Sequence, residues 1–509
     1  MNFGKYIMGI KELKREDNVM KTQIFIAALI GVTSVFAADG VRYKDRIFDV
    51  GDARTVTVAY DVPTMDKSNY NILSELMMSF KMEKNMLHLY ESEQVVMEPV
   101  VMDIYEPVND DGTDRAAVVI CHGGAFVASA KDDFDQKSVA YADSLAARGF
   151  VTASLEYRKG VVMTGSGMPF RIDSASFART VYRSVQDLHA AIRYLRLNAK
   201  ALRISPSKIY VLGNSAGAMM ALENIYALSK RDFPSYIDSM PQFVVKDNKK
   251  ENVPWGKLNQ YGARDYRGTA DGVVALWGGI HDIDLVKNSD VPVFLAHGDS
   301  DYVMPYNVGH AISKPDKMVA EAVPEKYSAF AKAFKFQIET PTIYGSYAID
   351  SALTARGVAH EFYNPVGYGL KHEFYNSTRT AEDGSEIVFA DSVQDKAFDF
   401  LYKLATGTYG KQETVVALQK SAAPSDVDVA QRSAPAFAKV SKIAMGEKNL
   451  SFTVVEGENL AYGVFDLKGK KVMAGRASRG ETVSLEGVAG GSYFLKVQGD
   501  ATRRITVTH

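Results

Sequence analysis

The sequence has a single cysteine, Cys121, among its 509 residues. One cysteine cannot form an internal disulfide, so the fold has to be stabilised by a packed core, and a chain of this length can build a large one. The cysteine count therefore does not indicate the compartment in which the protein works.

An excess of charge of either sign is also missing, since the formal net charge is -2. Nucleic-acid-binding surfaces need a basic excess, so this balance argues against a nucleic-acid partner. A neutral small molecule or polymer stays open as a substrate. The hydrophobic fraction of 46% is ordinary for a soluble globular protein, and the length allows two or three domains.

Long hydrophobic runs are confined to residues 24–32. This run follows Met20 and Lys21 and precedes small residues up to Ala38, which predicts a secretory signal region over residues 1–38 with Met20 as the expected start. The run is shorter than the ~20 residues of a spanning helix, so we expect no stable membrane span after cleavage. An uncleaved anchor is the alternative.

From residue 41 to 407, apolar strands alternate with helices. This alternation predicts a mostly parallel sheet covered on both faces. The predicted strands are Thr55–Tyr60, Val100–Tyr105, Ala116–Cys121, Val151–Tyr157, Lys208–Leu212, Val273–Leu276, Pro292–Ala296 and Glu361–Tyr363. The predicted helices are Phe134–Arg148, Val185–Asn198, one that follows Ser215, Ile349–Arg356 and Val393–Leu404.

Two segments interrupt the alternation. Residues 226–270 are polar and rich in turn residues, and residues 312–340 carry an extra helical pattern. Each is either a lid over a site or a plain surface insertion. Residues 408–442 are rich in Ala, Ser and Pro and are typical of a linker. From residue 443 to 509, short alternating strands with glycine turns predict a small all-β module.

The segment VLGNSAGAMM, residues 211–220, places Ser215 between Gly213 and Gly217 where a buried strand meets a helix. A tight strand-to-helix turn would explain the glycines by steric relief alone. A nucleophile elbow would explain them too, because it holds a serine on a strained turn where only small neighbours fit. The other parts of a catalytic site must decide between the two.

Acyl transfer by a serine needs a base, a carboxylate that orients the base, and backbone N–H donors for the oxyanion. In a doubly wound sheet these groups lie at the carboxyl ends of strands. One strand runs into CHGGAF, residues 121–126, a glycine-rich turn placed like an oxyanion loop. The expected donors are the amides of Gly124, Ala125 and Ala216. Further residues of the same two motifs support the turns: His122, Gly123, Gly213 and Gly217.

Two further strand ends offer the acid and the base. HGDSDYVMP, residues 297–305, holds Asp299 and Asp301. The pattern HGxxDxxVP favours Asp301 as the acid, and Asp299 is expected to cap the turn. After the last strand, NPVGYGLKHEF places His372 in a glycine-containing loop, where the base must lie.

Nine histidines compete for the role of base. His122 and His297 belong to their own turns and are expected to shape them, and His360 begins a strand instead of following it. Four more lack a catalytic context and are expected to be surface or satisfied core residues: His88, His189, His281 and His310.

The chain order Ser215, Asp301, His372 is that of α/β-hydrolases and not of other serine hydrolase folds. Residues 95–405 resemble secreted bacterial α/β-hydrolase esterases, in particular the carboxylesterases, the hormone-sensitive-lipase-like group and the carbohydrate (acetyl or feruloyl) esterases. Besides the motifs above, the resemblance rests on VVMDIYEPV, SLAARGFVTASLEYR, DLHAAIRYLRLNAKALRISPSKIY and LTARGVAHEF. It implies an α/β-hydrolase fold for residues 41–407.

The resemblance also implies a mechanism. His372 would take the proton of Ser215 during attack on an ester carbonyl, and Asp301 would fix the tautomer of His372. No metal or organic cofactor is required. The chain departs from the family at Ala125, which replaces a third glycine, at Asn214, where Asp or Glu is frequent, and in the two insertions. These departures leave the triad intact and the substrate open.

The C-terminal module resembles the β-sandwich sorting domains of bacterial proteins exported by type IX secretion. LAYGVFDLKGKKV, GGSYFLKV and a basic end that turns apolar (RRITV) carry this resemblance. It implies contact with secretion machinery and a secreted or cell-surface location. A carbohydrate-binding or purely structural β-domain is the alternative.

Three functions of different classes follow. A secreted serine carboxylic ester hydrolase is favoured, acting on acetylated or feruloylated plant polysaccharide or, alternatively, as a general short-chain carboxylesterase or lipase. A serine peptidase of the same fold shares HGxxDxxVP, but no propeller-like repeat domain precedes the hydrolase. A non-catalytic hydrolase-like binding protein is disfavoured by the intact Ser, Asp and His.

Overall fold

A computed structural model describes residues 40–79, 87–132, 137–164, 169–315, 317, 335–374, 378–380 and 386–410, and C-terminal segments 440–445, 450–454, 460–466, 471–478, 482–484, 491–497 and 503–507. The chain divides into two compact units, residues 1–413 and 414–509. The predicted signal region and residues 411–439 of the predicted linker lie outside the described residues.

Eight strands form the central sheet of the first unit. They are β1 (Arg54–Met65), β2 (Val95–Tyr105), β3 (Arg115–Cys121), β4 (Val151–Glu156), β5 (Ile204–Asn214), β6 (Val273–Leu276), β7 (Val293–Ala296) and β8 (His360–Tyr363). Their order across the sheet is β1-β2-β4-β3-β5-β6-β7-β8. β2 runs antiparallel to both of its neighbours, and all other neighbours in the sheet are parallel. This is the architecture that the alternating pattern predicts.

Five helices flank the sheet. They are α1 (Ser138–Ala146), α2 (Ser174–Leu197), α3 (Ala216–Tyr226), α4 (Ser346–Arg356) and α5 (Phe389–Thr406). Side chains alternate across β3, so each face of the sheet has its own core. Val119 and Cys121 pack with α2, α3 and α4 on one face. Val118 and Ile120 pack with α1 and α5 on the other.

The predicted start of α2 at Val185 is wrong, because the helix begins at Ser174, behind the N-cap Asp173. The first half of α2 lacks a helical spacing of apolar residues in the sequence, because polar side chains occupy buried positions there. Arg179 Nε and Arg183 Nη1 donate to the carboxylate of Glu93 at 2.6 Å and 2.8 Å, and all three side chains are buried. A buried charge needs such pairing, so this half of α2 is held by ion pairs.

The segment 226–270 packs along α2. It contains a hairpin of Gln242–Lys246 and Lys249–Val253. Gln186 of α2 donates to the carbonyl of Trp255 at 2.8 Å, and Arg196 donates to the carbonyl of Thr269 at 2.9 Å. Residues 316 and 318–334 of the second insertion lie outside the described residues, so its extra helical pattern stays a prediction.

The described residues of the first unit also contain short strand pairs and a further α-helix. They are the helix Ile72–Ser79 and the strand groups Leu89–Tyr90 with Val161–Val162, Phe170–Ile172 with Phe336–Ile338, Gly279–Ile280 and Val308–His310 with Thr342–Gly345, and Thr378–Thr380 with Glu386–Val388. Among the described helices, none combines the length and hydrophobicity that a membrane crossing requires.

The second unit, taken by itself, shows strands in its described residues. One antiparallel sheet contains Val440–Met445, Leu450–Val454 and Thr482–Ser484, and another contains Leu460–Asp466, Lys471–Ala477, Gly491–Val497 and Arg503–Val507. The sorting role of this unit stays a prediction.

Candidate functional site

Ser215 is the single residue between the end of β5 and the start of α3. Its backbone has φ 55° and ψ -118°, a combination that costs a residue with a Cβ of order 1–3 kcal/mol and persists only where the surroundings enforce it. Its amide donates to the carbonyl of Leu276 at 2.9 Å, and its own carbonyl accepts from the amide of Met219 at 3.0 Å. The neighbouring strand and the helix thus hold the serine on a strained turn.

The glycines on either side of Ser215 are required by close backbone contacts. A Cβ added to Gly213 would lie 2.3 Å from the carbonyl oxygen of Gly217. A Cβ added to Gly217 would lie 2.1 Å from the carbonyl oxygen of Cys121, the last residue of β3. The turn is therefore an elbow pressed against the end of the neighbouring strand, which is how a nucleophile elbow is built.

Ser215, His372 and Asp301 are brought into one hydrogen-bonded chain. Ser215 Oγ lies 2.8 Å from His372 Nε2, and His372 Nδ1 lies 2.7 Å from Asp301 Oδ2. The carboxylate accepts the proton of Nδ1, which leaves Nε2 free to accept from the serine hydroxyl. Asp299, the competing acid, instead accepts from the amide of Gly367 at 2.8 Å.

Asp301 is buried and held on both oxygens. The amides of Val303 and Met304 donate to Oδ1 at 2.8 Å and 3.0 Å. Burial raises the pKa of Asp301, but the charge of His372 and hydrogen bonds from His297 and His372 outweigh it, so the pKa lies well below 3.8. Burial lowers the pKa of His372, and the charge and hydrogen bond of Asp301 outweigh that effect, so this pKa lies above 6.5.

His297 is a residue of the site that the sequence analysis assigned only to its own turn. It is fully buried, and its Nε2 lies 3.2 Å from Asp301 Oδ2 and 3.3 Å from the carbonyl oxygen of Met304. Its Nδ1 lies 2.9 Å from Ser346 Oγ. Because Asp301 accepts at Nε2, that nitrogen carries the proton, and the Ser346 hydroxyl donates to Nδ1. His297 and His372 therefore both hold Oδ2 of Asp301.

Trp277 is a second residue that sequence reasoning missed. It follows β6 directly, is fully buried, and its ring meets that of His372 edge to face with centroids 6.3 Å apart. Its amide donates to the carbonyl of Ala296 at 2.6 Å. The indole thus forms an apolar wall that limits the ring orientation of His372. A large aromatic residue at the end of a parallel strand was the available signal.

The predicted oxyanion loop leaves β3 beside the elbow. Gly124 has φ 102°, and a Cβ there would lie 2.5 Å from the carbonyl oxygen of Ala128. Ala125 has φ 53°, so it keeps the left-handed backbone that a third glycine would adopt. The amides of Val127 and Ala128 both donate to the carbonyl of Gly124 at 2.9 Å and close the turn.

His122 of this loop stacks on Tyr157, a residue to which the sequence analysis gave no role in the site. The rings of His122 and Tyr157 lie 4.2 Å apart and nearly parallel. The Tyr157 hydroxyl donates to the carbonyl of His122 at 2.9 Å and lies 3.2 Å from that of Gly123. Ala216 begins α3, and the first amides of a helix have no partner within it. The role of the amides of Gly124, Ala125 and Ala216 as oxyanion donors stays a prediction.

Among the described residues, no group of three or more His, Cys, Asp or Glu side chains is placed to hold a metal ion. Of the histidines expected to lack a catalytic context, His189 is buried and His88 is half-buried. Burial lowers the pKa of His88 to about 4 and that of His189 to about 3. His360 Nε2 lies 2.9 Å from Asp350 Oδ1, and His281 pairs with Glu223 at 2.7 Å.

Residues 102–254 match the model of the BD-FAE family, an esterase-like α/β-hydrolase domain. No curated protein matches the chain. Among solved structures, the chain is similar to an esterase of the planctomycete Thermogutta terrifontis with bound propionate, at 18% identity over 62% of this chain and 92% of that one, with a TM-score of 0.32.

The chain is also similar to Thermogutta terrifontis esterase 2 phosphoramylated by tabun, at 16% identity over 65% of this chain and 98% of that one, with a TM-score of 0.33. A truncated carbohydrate esterase from gut microbiota has 15% identity over 60% of this chain and 90% of that one, with a TM-score of 0.32. The family match, together with the strand order of the central sheet, confirms the predictions of an α/β-hydrolase fold and of an esterase-like hydrolase.

Proposed function

We propose that the protein is a serine carboxylic ester hydrolase that works through an acyl-enzyme, with Ser215 as nucleophile, His372 as base and Asp301 as the carboxylate that orients the base. One observation carries this proposal: Ser215 Oγ lies 2.8 Å from His372 Nε2, whose ring is fixed by Asp301 at 2.7 Å. A nucleophile, a base and an orienting group within hydrogen-bond reach are the requirement for this chemistry.

In the acylation step, Ser215 Oγ attacks the ester carbonyl carbon and its proton moves to His372 Nε2. The ester oxygen becomes an oxyanion, which the amides of Gly124, Ala125 and Ala216 stabilise by hydrogen bonds. His372 then gives its proton to the leaving alcohol as the C–O bond breaks. Asp301 stays ionised throughout and stabilises the imidazolium.

In the deacylation step, His372 takes a proton from water as the water oxygen attacks the acyl carbon. Collapse of the second oxyanion breaks the bond to Ser215 Oγ, which recovers its proton from His372. The products are a carboxylic acid and an alcohol.

As substrates we propose acetyl or feruloyl esters on plant polysaccharide. The support is the match of residues 102–254 to the BD-FAE model and the expected export of the chain, which would bring the enzyme to extracellular polymers. Small acyl esters and acylated sugar polymers share the ester carbonyl that Ser215 attacks. An experiment must therefore distinguish a polysaccharide esterase from a general short-chain carboxylesterase.

Hydrolysis of p-nitrophenyl acetate by the full chain and by Ser215→Ala tests the reaction. We expect turnover in the parent protein and its loss in the variant, together with covalent labelling of the parent alone by a fluorophosphonate. Turnover that persists in Ser215→Ala would refute the assignment. Cleavage of peptides without cleavage of esters would favour a peptidase, and no labelling would favour a binding protein.

Acetylated xylan, methyl ferulate and tributyrin, each at the same ester concentration, test the substrate. We expect the highest kcat/KM with the acetylated xylan or the ferulate ester. A clear preference for tributyrin would replace the polysaccharide proposal with that of a general short-chain esterase, without affecting the roles of the three site residues.

The proposed location is outside the cytoplasm, with residues 1–38 removed and residues 443–509 recognised by secretion machinery. Fractionation of the producing bacterium, followed by N-terminal and intact-mass analysis of the exported protein, tests both parts. A protein that stays in the cytoplasmic fraction with an intact N-terminus would refute the proposal.

A further inference from the structure

A cleft of about 1030 Å³ lies in the first unit, away from Ser215. Its walls come from the last third of α2, the residues that follow α3, and the segment 257–269. α3 begins one residue after Ser215, and its 11 residues span roughly 16 Å at about 1.5 Å each. Because Leu228 of the cleft wall follows the end of α3, the cleft lies at the opposite end of this helix from the serine.

The charged side chains around the cleft are mostly basic. The cations are Arg193, Lys230, Arg231, Lys257 and Arg267, and the one carboxylate among the lining residues is Asp238. Two of these cations are neutralised, since Lys230 pairs with Asp238 and Arg267 pairs with Asp271. For Arg193, Arg231 and Lys257, the described part of the chain shows no carboxylate partner. The cleft therefore carries surplus positive charge.

Arg193 is the cation whose position is hardest to explain without a ligand. It is fully buried, and its Nη2 donates to the carbonyl of Tyr261. Its Nε and Nη1 have no hydrogen-bond partner among the described residues. Burial, reinforced by the charge of Arg264, lowers its pKa to about 10, so it stays protonated near neutral pH. A buried charge without a counterion is costly, which favours an anion beside it.

His189, one turn before Arg193 in α2, forms part of the same wall. Its Nε2 also has no partner among the described residues. Burial and the charges of Arg193 and Arg196 lower its pKa to about 3, so the ring is neutral near pH 7. The buried part of the cleft therefore carries a single positive charge, which one negative charge would balance.

Gly268 faces both of these side chains. A Cβ at this position would lie 2.4 Å from His189 Nδ1 and 2.7 Å from Arg193 Nη1. The backbone of the insertion can approach the two polar side chains only because residue 268 has no side chain. The uncharged part of the wall mixes polar side chains, such as Asn259, with apolar and aromatic ones, which include Phe233, Leu258 and Tyr266.

We propose that this cleft is a second binding site of the protein, specific for an organic monocarboxylate. Arg193, Arg231 and Lys257 supply the attraction for the carboxylate, and Phe233, Leu258 and Tyr266 pack against the carbon skeleton. A buried charge is weakly screened, so the carboxylate is attracted to Arg193 even across a layer of lining atoms. A monoanion is favoured over a phosphate dianion, because Arg193 is the one buried cation to be balanced, whereas Arg231 and Lys257 are exposed to solvent.

Two sources offer such a carboxylate: an acidic sugar and an aromatic acid. Isothermal titration calorimetry of the full chain with sodium glucuronate and with sodium ferulate distinguishes them, and glucose serves as the uncharged control. We expect one carboxylate to bind and glucose to bind at least about tenfold more weakly, because glucose lacks the charge. Equal binding of glucuronate and glucose, with no binding of ferulate, would overturn the proposal.

Arg193→Met is the matched variant, since it keeps an unbranched apolar stem and removes the guanidinium charge. We expect its Kd for the bound carboxylate to rise about tenfold or more, with an unchanged rate of p-nitrophenyl acetate hydrolysis, because the cleft is remote from Ser215. An unchanged Kd in this variant would refute the assignment.

If Arg193→Met does not fold, as judged by circular dichroism, the double variant Arg231→Ala/Lys257→Ala decides. Both side chains are exposed, so their loss is expected to leave the thermal midpoint nearly unchanged. The Kd for the carboxylate should then rise several-fold and become less sensitive to salt. No change in either quantity would overturn the proposal.

Discussion

His297 Nε2 lies 3.2 Å from Oδ2 of Asp301, the same oxygen that His372 Nδ1 approaches to 2.7 Å. Two imidazoles thus approach one carboxylate oxygen, and the carbonyl oxygen of Met304, 3.3 Å from His297 Nε2, is a second acceptor for that nitrogen. Asp301 cannot rotate toward His297 or away from it without breaking one of these contacts. His297 is therefore a positioning residue, which acts on the base through Asp301.

Removal of the His297 ring by His297→Leu should lower kcat by roughly 10- to 100-fold, which is the effect of losing a hydrogen bond of about 1.5–3 kcal/mol to a charged group. KM for p-nitrophenyl acetate should change little, because His297 contacts Asp301 and not the ester. Steady-state kinetics of the purified variant measure both quantities.

His297→Gln provides the matched control, since its amide nitrogen can take the place of Nε2 and should restore part of the lost kcat. Ser346→Ala removes the hydroxyl on the other side of the ring, 2.9 Å from Nδ1, and should have a smaller effect. A kcat in His297→Leu equal to that of the parent would show that the ring only fills space.

Asp301→Asn should reduce kcat by about 10⁴-fold, because an amide stabilises the wrong tautomer of His372 and cannot stabilise the imidazolium. Asp299→Asn is the matched control from the same turn. Among the described residues, Asp299 accepts hydrogen bonds only from Ser300 and from the amide of Gly367. The kcat of Asp299→Asn should therefore stay close to that of the parent. Comparable losses in both variants would contradict the assignment of Asp301.

The rate should also depend on pH through His372, which must be neutral to accept the serine proton. Asp301 raises the pKa of His372 above 6.5, so kcat should fall as the pH falls through a value above 6.5. Asp301→Asn removes the carboxylate charge that raises the pKa of His372, while burial still lowers that pKa. His372 therefore stays neutral to lower pH in this variant, and the residual activity should persist there. An acid limb at the same pH in both proteins would rule out this coupling.

Much of the sheet could be predicted from the sequence, because its central strands are short apolar runs between turn residues. The predicted bounds of β3 and β6 agree with the structure within one residue. β2 starts at Val95 instead of Val100, because exposed residues of its first half break the apolar run. The start of α2 was missed for the related reason that its buried arginines look like surface residues.

The candidate site also has a part that the sequence predicts and a part that it does not. Ser215 and His372 stand in local patterns that a few neighbouring residues define, so the sequence predicts their place at strand ends. His297 and Ser346 are 49 residues apart, and only folding brings them together. No periodicity encodes such a pair, and the same holds for the contact of Trp277 with His372.

Gly217→Ala should destabilise the protein and lower its activity. The added methyl would lie 2.1 Å from the carbonyl oxygen of Cys121, so α3 or β3 has to shift. Such overpacking costs about 1–3 kcal/mol or more and would displace Ser215 from its hydrogen bond to His372. The midpoint of thermal unfolding and kcat should therefore both fall in Gly217→Ala.

Gly51→Ala is the control, since its added methyl comes no closer than 3.6 Å to its nearest neighbour, Val108. Equal thermal midpoints in the two variants would contradict the close packing of the elbow.

The ion pair between His281 and Glu223 should make stability fall at alkaline pH. His281 Nδ1 lies 2.7 Å from Glu223 Oε1, and its Nε2 lies 2.8 Å from the carbonyl oxygen of Asp232. Both partners are acceptors, so the ring is held as an imidazolium. Burial lowers the pKa of His281, but the charge and hydrogen bond of Glu223 and the carbonyl of Asp232 outweigh it and raise the pKa to about 9.

A pKa raised from 6.5 to about 9 corresponds to roughly 3 kcal/mol of stability. Because the folded-state pKa is the higher one, this contribution is complete below pH 6.5 and is lost as the pH rises through 9. His281→Gln lacks the titrating ring, so it should be less stable than the parent at pH 6, and the difference should shrink by pH 9.5. Urea unfolding of both proteins at the two pH values measures this change. A difference that is the same at pH 6 and pH 9.5 would show that His281 is not charged in the folded protein.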